Sequence, residues 1–202
     1  MKLYYSPGAC SLAPHIALRE SGLEFEAVKT NTREKTTADG VDFLRLNPKG
    51  YVPALVLDNG ELLTEGAAIL QYIGDQRPES GLVPPAGTLE RYRVQEWLNY
   101  TATEIHKGFG PLIRPGVPDD FKAASRQRLE GRLSWVADQL IGRDFLVGRR
   151  FTVADAYLYV VLGWTRAGGI ERERWPVLHA YHAAINARPA VQAARAAEGL
   201  KP

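Results

Sequence analysis

One cysteine stands in the 202 residues of the chain, at position 10. It follows Met1-Lys-Leu-Tyr-Tyr5, a short strand pattern, and the turn signal Ser6-Pro7-Gly8. Residues 11 to 21 read as a helix closed by Gly22. Cys10 is thus expected at or just before a helix N-terminus, where backbone N–H groups carry partial positive charge. Such a position lowers a thiol from its ordinary pKa of about 8.5 and favours the thiolate. The chemistry on offer is nucleophilic or redox sulfur chemistry. With Ala13 where a dithiol enzyme would carry its second cysteine, redox work would be monothiol and would need an external thiol.

A second group of residues lies on a long helix predicted from 88 to 110. Asn99, Thr103 and His106 fall at i, i+4 and i+7, so an α-helix puts them on one polar face. A polar face on an early helix of a second domain is suited to look into an interdomain cleft, where ligand sites tend to occur. Glu104 points elsewhere, and Lys107 adds positive charge nearby. His15, inside the first helix, reads as structural.

The elements that must carry these residues differ between the two halves. Residues 1 to 77 alternate strand and helix as βαβ followed by ββα: Phe25 to Thr30 is a half-buried strand, 38 to 46 a short helix, and Val52 to Leu57 a buried strand. Asp58-Asn59-Gly60 turns it back into Glu61 to Thr64. Thr64 is expected to cap a helix over 65 to 75. Residues 78 to 87 are a proline- and glycine-rich connector. From 88 to 202 the pattern is helical throughout, with Phe121 to Ile141 as one amphipathic helix. Thr152-Val-Ala-Asp155 resembles a capping box ahead of an apolar helix running to about Thr165.

Composition narrows the function classes. Twenty-five Lys and Arg oppose 23 Asp and Glu, a net charge of +2. Nucleic acid is not an expected partner, since a basic stripe would show in that balance. The longest apolar run is far short of the roughly 20 residues that span a bilayer, so no membrane association is expected. The first residues lack a signal-peptide pattern, and a reducing cytoplasm suits a chain with one cysteine. No His/Cys spacing suggests a metal site, and neither a Gly-x-Gly-x-x-Gly nor a phosphate loop is present to suggest a nucleotide.

Four motifs occur in order: Tyr5-Ser-Pro-Gly-Ala-Cys10, Asn47-Pro-Lys-Gly-Tyr-Val-Pro53, Leu63-Thr-Glu-Gly66 and Phe151-Thr-Val-Ala-Asp155. With them the chain resembles the cytosolic glutathione transferases from residue 1 to nearly 200. Cys10 together with His106 is similar to the bacterial beta class. The resemblance implies an α/β thioredoxin-like N-terminal domain and an all-α C-terminal domain, in a homodimer. It implies glutathione as co-substrate, with Cys10 and His106 catalytic; because other transferase classes use a hydroxyl in this neighbourhood, Tyr5 and Ser11 remain rivals of Cys10 for activating the thiol.

Val52 would bind the tripeptide's backbone beside a cis Pro53, the Glu65-Gly66 helix start would take its γ-glutamyl end, and Lys35, with Arg33 as a substitute, would face its glycyl carboxylate. Asn99, Thr103 and Glu104 complete the implied set. Conjugation of glutathione to small hydrophobic electrophiles is the activity implied. Reductive dehalogenation, thiol–disulfide reduction and a non-catalytic interaction role on the same fold are the alternatives. Phe109, Leu112, Ile113 and Trp164 are candidate apolar lining.

Overall fold

A computed structural model describes residues 1–200. Their contacts divide the chain into two units: 1–83 together with the chain from Ala187 onward, and Pro84–Asn186. The sequence-based division at 78–87 therefore needs correction at its far end. The last helix belongs with the first unit, because its apolar face packs on the first helix.

In the first unit, strands β1 (Lys2–Tyr5), β2 (Glu26–Asn31), β3 (Thr36–Thr37), β4 (Ala54–Val56) and β5 (Leu62–Thr64) form one sheet in the order β3-β2-β1-β4-β5. β1 runs parallel to β2 and antiparallel to β4, and β4 and β5 form the expected hairpin. Gly60 in its turn takes φ +84°, a conformation open to glycine at little cost. Helices α1 (Leu12–Ser21) and α3 (Gly66–Gln76) pack together and contribute buried Ile16, Leu18, Ile69, Leu70 and Ile73 to the core.

The helix expected over 38–46 shrinks to α2 (Phe43–Leu46). The Thr37 hydroxyl donates to Asp39 and accepts the Val41 N–H, while Gly40 sits at φ +81°, so this stretch is a turn. Thr64 does not cap α3 either. Glu65 holds the capping position at φ +71°, and the Thr64 hydroxyl accepts from Lys49 Nζ at 2.9 Å.

In the second unit, α4 (Leu89–Tyr100) is capped by the Thr88 hydroxyl, which accepts the Arg91 N–H. Over Thr101–His106 the winding widens into a π-helix, and α5 (Lys107–Ile113) resumes the α geometry. α6 (Asp119–Gln139), α7 (Val153–Leu162) and α8 (Pro176–Asn186) follow. All ten residues of α7 are buried. One of them is Asp155, whose carboxylate accepts from the Leu146 N–H, the Thr152 N–H and hydroxyl, and the Tyr181 hydroxyl, at 2.8 to 3.0 Å. The acidic half of the expected capping box is thus in place. Burial raises the Asp155 carboxyl from its ordinary range against the pull of these donors.

The chain end closes the first unit. α9 (Pro189–Ala197) lies on α1, and Arg188 forks onto Glu20 at 2.7 and 3.0 Å. Glu198, just past α9, is buried. Its Oε2 accepts the Gly8 N–H and its Oε1 meets His15 Nδ1, both at 2.9 Å. Arg19 Nε donates to His15 Nε2 at 3.1 Å. Arginine offers donors only, so Nε2 is the accepting nitrogen and Nδ1–H is the donor to Glu198.

Two stability predictions follow from these buried carboxylates. Glu198→Ala strands the Gly8 N–H and the His15 N–H and should cost about 2–4 kcal/mol. Urea unfolding should show the loss, and iodoacetamide should alkylate Cys10 faster as its loop loosens. Asp155→Ala removes the shared acceptor of four donors and should cost about 3 kcal/mol or more in the same measurement. An unchanged urea midpoint in either variant would contradict the account.

Candidate functional site

Cys10 lies two residues ahead of α1, in the turn that leaves β1. Its thiol donates to the Val52 carbonyl oxygen, 3.3 Å away. The turn is built by its own hydrogen bonds. The Ser11 hydroxyl accepts the Ser6 N–H at 3.1 Å and donates to the Ser6 carbonyl, while the Leu12 and Ala13 amides donate to the Ala9 and Cys10 carbonyls. The amides expected to face the sulfur are therefore engaged with the turn, and the sulfur meets a carbonyl. Ser11 is fully buried and committed to the turn. Tyr5 is also buried, its ring 5.7 Å from that of His15, and burial pushes its phenol up, with Glu198 adding to the shift.

The loop 47–53 supplies the other components in this unit. Asn47 is buried and organises it: the side-chain amide donates to the Tyr51 carbonyl at 2.8 Å, and the side-chain oxygen accepts the Lys49 N–H. Val52 packs with Phe43 and Ala54 in a small apolar cluster that Ala9, beside Cys10, also joins. That shared cluster is what holds the sulfur and the Val52 backbone at a fixed spacing. The Val52–Pro53 peptide is cis, as the resemblance implies. An added Cβ on Gly66 would meet Pro53 Cγ at 3.7 Å, ordinary contact. Protein packing alone therefore does not demand a glycine there.

Lys35 and Glu65 reach the same loop, and each is held by it. Lys35 Nζ donates to the Gly50 carbonyl at 2.7 Å and lies over the Tyr51 ring at 5.3 Å. Glu65 Oε1 accepts from Lys49 Nζ at 2.8 Å. Both residues sit at positive φ, +57° and +71°, an uncommon backbone state for side chains of this kind. Lys49 and Tyr51 were not singled out from the sequence, although both lie inside the Asn47–Pro53 motif. Cys10, Lys35, Val52, Pro53, Glu65 and Gly66 thus gather around one loop.

The second unit corrects the reading of the polar helix face. The π-helical turn over Thr101–His106 takes up more residues per turn, so the i, i+4, i+7 register drawn for an α-helix does not hold. Asn99 and Thr103 are exposed, and the Thr103 hydroxyl donates back to the Asn99 carbonyl at 3.1 Å. Glu104 accepts from Arg132 Nε at 2.9 Å. His106 is mostly buried, with Nδ1 2.7 Å from the Tyr157 hydroxyl and its ring edge-on to Trp164 at 4.8 Å. Burial, with Lys107 adding to it, lowers the His106 pKa to about 4, so the ring is neutral near pH 7. Of the candidate apolar lining, Phe109 is core and stands edge-on to Trp164 at 6.0 Å, while Ile113 is exposed. Among the described residues, no cluster of three or more His, Cys, Asp or Glu is placed to hold a metal ion, and no helix is long and apolar enough to cross a membrane.

Comparison with known proteins agrees with this architecture. The family model for the glutathione S-transferase N-terminal domain matches residues 1–75, and that for the C-terminal domain matches 119–184. The chain is 49% identical to the glutathione S-transferase GstA of Escherichia coli O157:H7, over 100% of both chains. It is 38% identical to glutathione S-transferase GST-4.5 of Xanthomonas campestris pv. campestris, over 99% of this chain and 100% of that one. Among solved structures, a ternary complex of the bacterial transferase BphK superposes with a TM-score of 0.97 at 53% identity, covering 99% of this chain and 100% of that one. A sphingomonad glutathione S-transferase complexed with glutathione gives 0.96 at 53%, covering 100% of both. The bacterial beta-class enzyme of Sphingomonas chungbukensis gives 0.96 at 49%, again over the full length of both. A chain that matches both domain models, superposes on such structures and shares about half its residues with several such relatives over its full length belongs to the glutathione S-transferase family.

Proposed function

We propose that the protein is a glutathione transferase that places the tripeptide along the Val52 edge with its sulfur beside Cys10, and transfers that thiolate to small hydrophobic electrophiles. The observation carrying this reading is the Cys10 thiol held 3.3 Å from the Val52 carbonyl. Val52 precedes β4, so its backbone groups stand outside the ladder and can pair with an extended peptide. A bound cysteinyl N–H would take the carbonyl that the Cys10 thiol now occupies, which frees the thiol at the moment the ligand's sulfur arrives.

The charges suit the ligand. Lys35 and Lys49 offer cations for carboxylates, and Glu65 offers a carboxylate for the γ-glutamyl ammonium. His106, Asn99, Thr103 and Glu104 enter the proposal from the family pattern. Of these, His106 has the most to contribute, since a neutral imidazole can donate one N–H to a thiolate without adding charge. A homodimer, as the family pattern implies, and a cytoplasmic location complete the reading.

The buried hydroxyls of Tyr5 and Ser11 favour Cys10 as the residue that meets the ligand's sulfur. With oxidised glutathione, the Cys10 thiolate would attack one sulfur, form a mixed disulfide and release one glutathione thiolate. The protein should be retained on immobilised glutathione and should conjugate a chloro-nitroaromatic acceptor. A chain kept for interaction alone would do neither. Incubation with oxidised glutathione should add one glutathionyl group, and Cys10→Ala should abolish it; persistence of the adduct in intact-mass spectra would overturn the assignment.

The pH dependence has a defined sign. His106 titrates near 4, so it stays neutral from about pH 5 upward, and conjugation should rise with pH through one ionisation, that of the bound thiol. His106→Ala removes a donor to the thiolate and should move that single limb to higher pH. A limb that stays in place would remove His106 from the mechanism.

A further inference from the structure

His106 makes its hydrogen bond through Nδ1, to the hydroxyl of Tyr157 at 2.7 Å. Tyr157 lies on α7, is almost fully buried, and presents its ring edge-on to the imidazole at 5.9 Å and 84°. On another side the ring of Trp164 packs at 4.8 Å and 74°. These contacts fix the plane of the imidazole as well as one of its nitrogens. A neutral imidazole holds one proton, so one nitrogen donates and the other accepts. A phenol is a much stronger donor than an imidazole N–H, and an imidazole nitrogen is a much stronger acceptor than a phenol oxygen. The favoured pairing is O–H of Tyr157 to the lone pair of Nδ1.

We propose that Tyr157 is a positioning residue: its hydroxyl donates to Nδ1 of His106 and so locks the proton on Nε2, making Nε2–H a fixed donor for a sulfur anion. The donor role rests on the reading that His106 serves the glutathione thiolate, whereas the tautomer is a property of the protein alone. Among the described residues Nε2 has no partner, and the ring's covalent geometry turns it away from Tyr157. The lowered proton affinity of His106 fits the same picture, because a ring kept neutral has a tautomer to choose. Tyr157 acts by deciding which ring nitrogen carries the hydrogen.

The test reads the tautomer directly. Protein labelled with 15N at its histidines, without ligand and at pH 7, is compared with the Tyr157→Phe variant, and His106 is assigned from the His106→Gln spectrum. The wild-type protein should show Nδ1 at the unprotonated, pyridine-like position and Nε2 at the protonated, pyrrole-like one. Tyr157→Phe should draw both toward the average of two exchanging tautomers. A protonated Nδ1 in the wild type, or tautomer signals unmoved by Tyr157→Phe, would overturn the proposal.

A kinetic arm addresses the consequence. Tyr157→Phe should lower kcat for conjugation about 3- to 10-fold, the size of one lost hydrogen bond, with KM for glutathione little changed. In a His106→Ala background the same substitution should cost nothing further. An equal loss in both backgrounds would mark Tyr157 as merely structural and sink the positioning role. If glutathione proved not to be the substrate, the spectra of the ligand-free protein would still decide the tautomer.

Discussion

The Glu198 carboxylate is the constraint on which the surroundings of Cys10 depend. It is a buried acid that takes the Gly8 N–H with one oxygen and the His15 N–H with the other. Gly8 sits two residues before Cys10, and His15 sits one turn into the helix that follows it. One side chain from the chain's far end therefore fixes both flanks of the turn that aims the sulfur. The arrangement is stable in a dry interior because every member is paired. Arg19 supplies the compensating positive charge through His15 Nε2, and the Arg188–Glu20 fork holds the entry to α9 against the same helix. A buried carboxylate with partial partners would favour a looser turn.

That constraint was invisible in the sequence, and the reason is distance along the chain. Features written in local patterns could be read. Cys10 after a strand and a glycine turn, the strand that follows Asn47-Pro-Lys-Gly50, and Glu65-Gly66 at a helix start are each encoded within a few residues, where backbone chemistry is decided. The Asn59-Gly60 turn and the Thr152 to Asp155 cap belong to the same class. Glu198 lies 183 residues from His15 and 190 from Gly8, and nothing in a glutamate after an alanine-rich helix announces a partner that far away. The pairing of Lys49 with Glu65 was hidden for the same reason. Two charged residues, each readable alone as solvated, become one unit only once the loop and the helix meet.

The helical half shows a different failure, one of periodicity. Placing Asn99, Thr103 and His106 on a common face assumed one uniform winding from 88 to 110. The winding changes where β-branched residues crowd, at Thr101, Thr103 and Ile105. Such side chains are stiff and lower the preference for the tight α turn. Thr101 and Ile105 are buried, so packing inside the bundle decides the matter, and packing is not a local signal. The wider turn also separates the fates of the three residues: two are exposed, and His106 is drawn inward to Tyr157 and Trp164.

Buried His15 and half-buried His106 make the final contrast. His15 and His106 both sit on helices among aromatic rings, and the sequence alone offers no means of ranking them beyond their place in the chain. Their hydrogen bonds separate them. In His15 both nitrogens are consumed, Nδ1 by Glu198 and Nε2 by Arg19, so the ring can transmit position and nothing else. In His106 one nitrogen meets the Tyr157 hydroxyl, and among the described residues the other has no hydrogen-bond partner. A neutral imidazole held by one nitrogen is a directional donor whose proton cannot wander, and donors fixed in advance cost no reorganisation when charge develops on a sulfur. On the proposed reading, what separates His106 from the structural His15 is the number of ring nitrogens already engaged. That count becomes available only when α7 has brought Tyr157 against the π-helical turn.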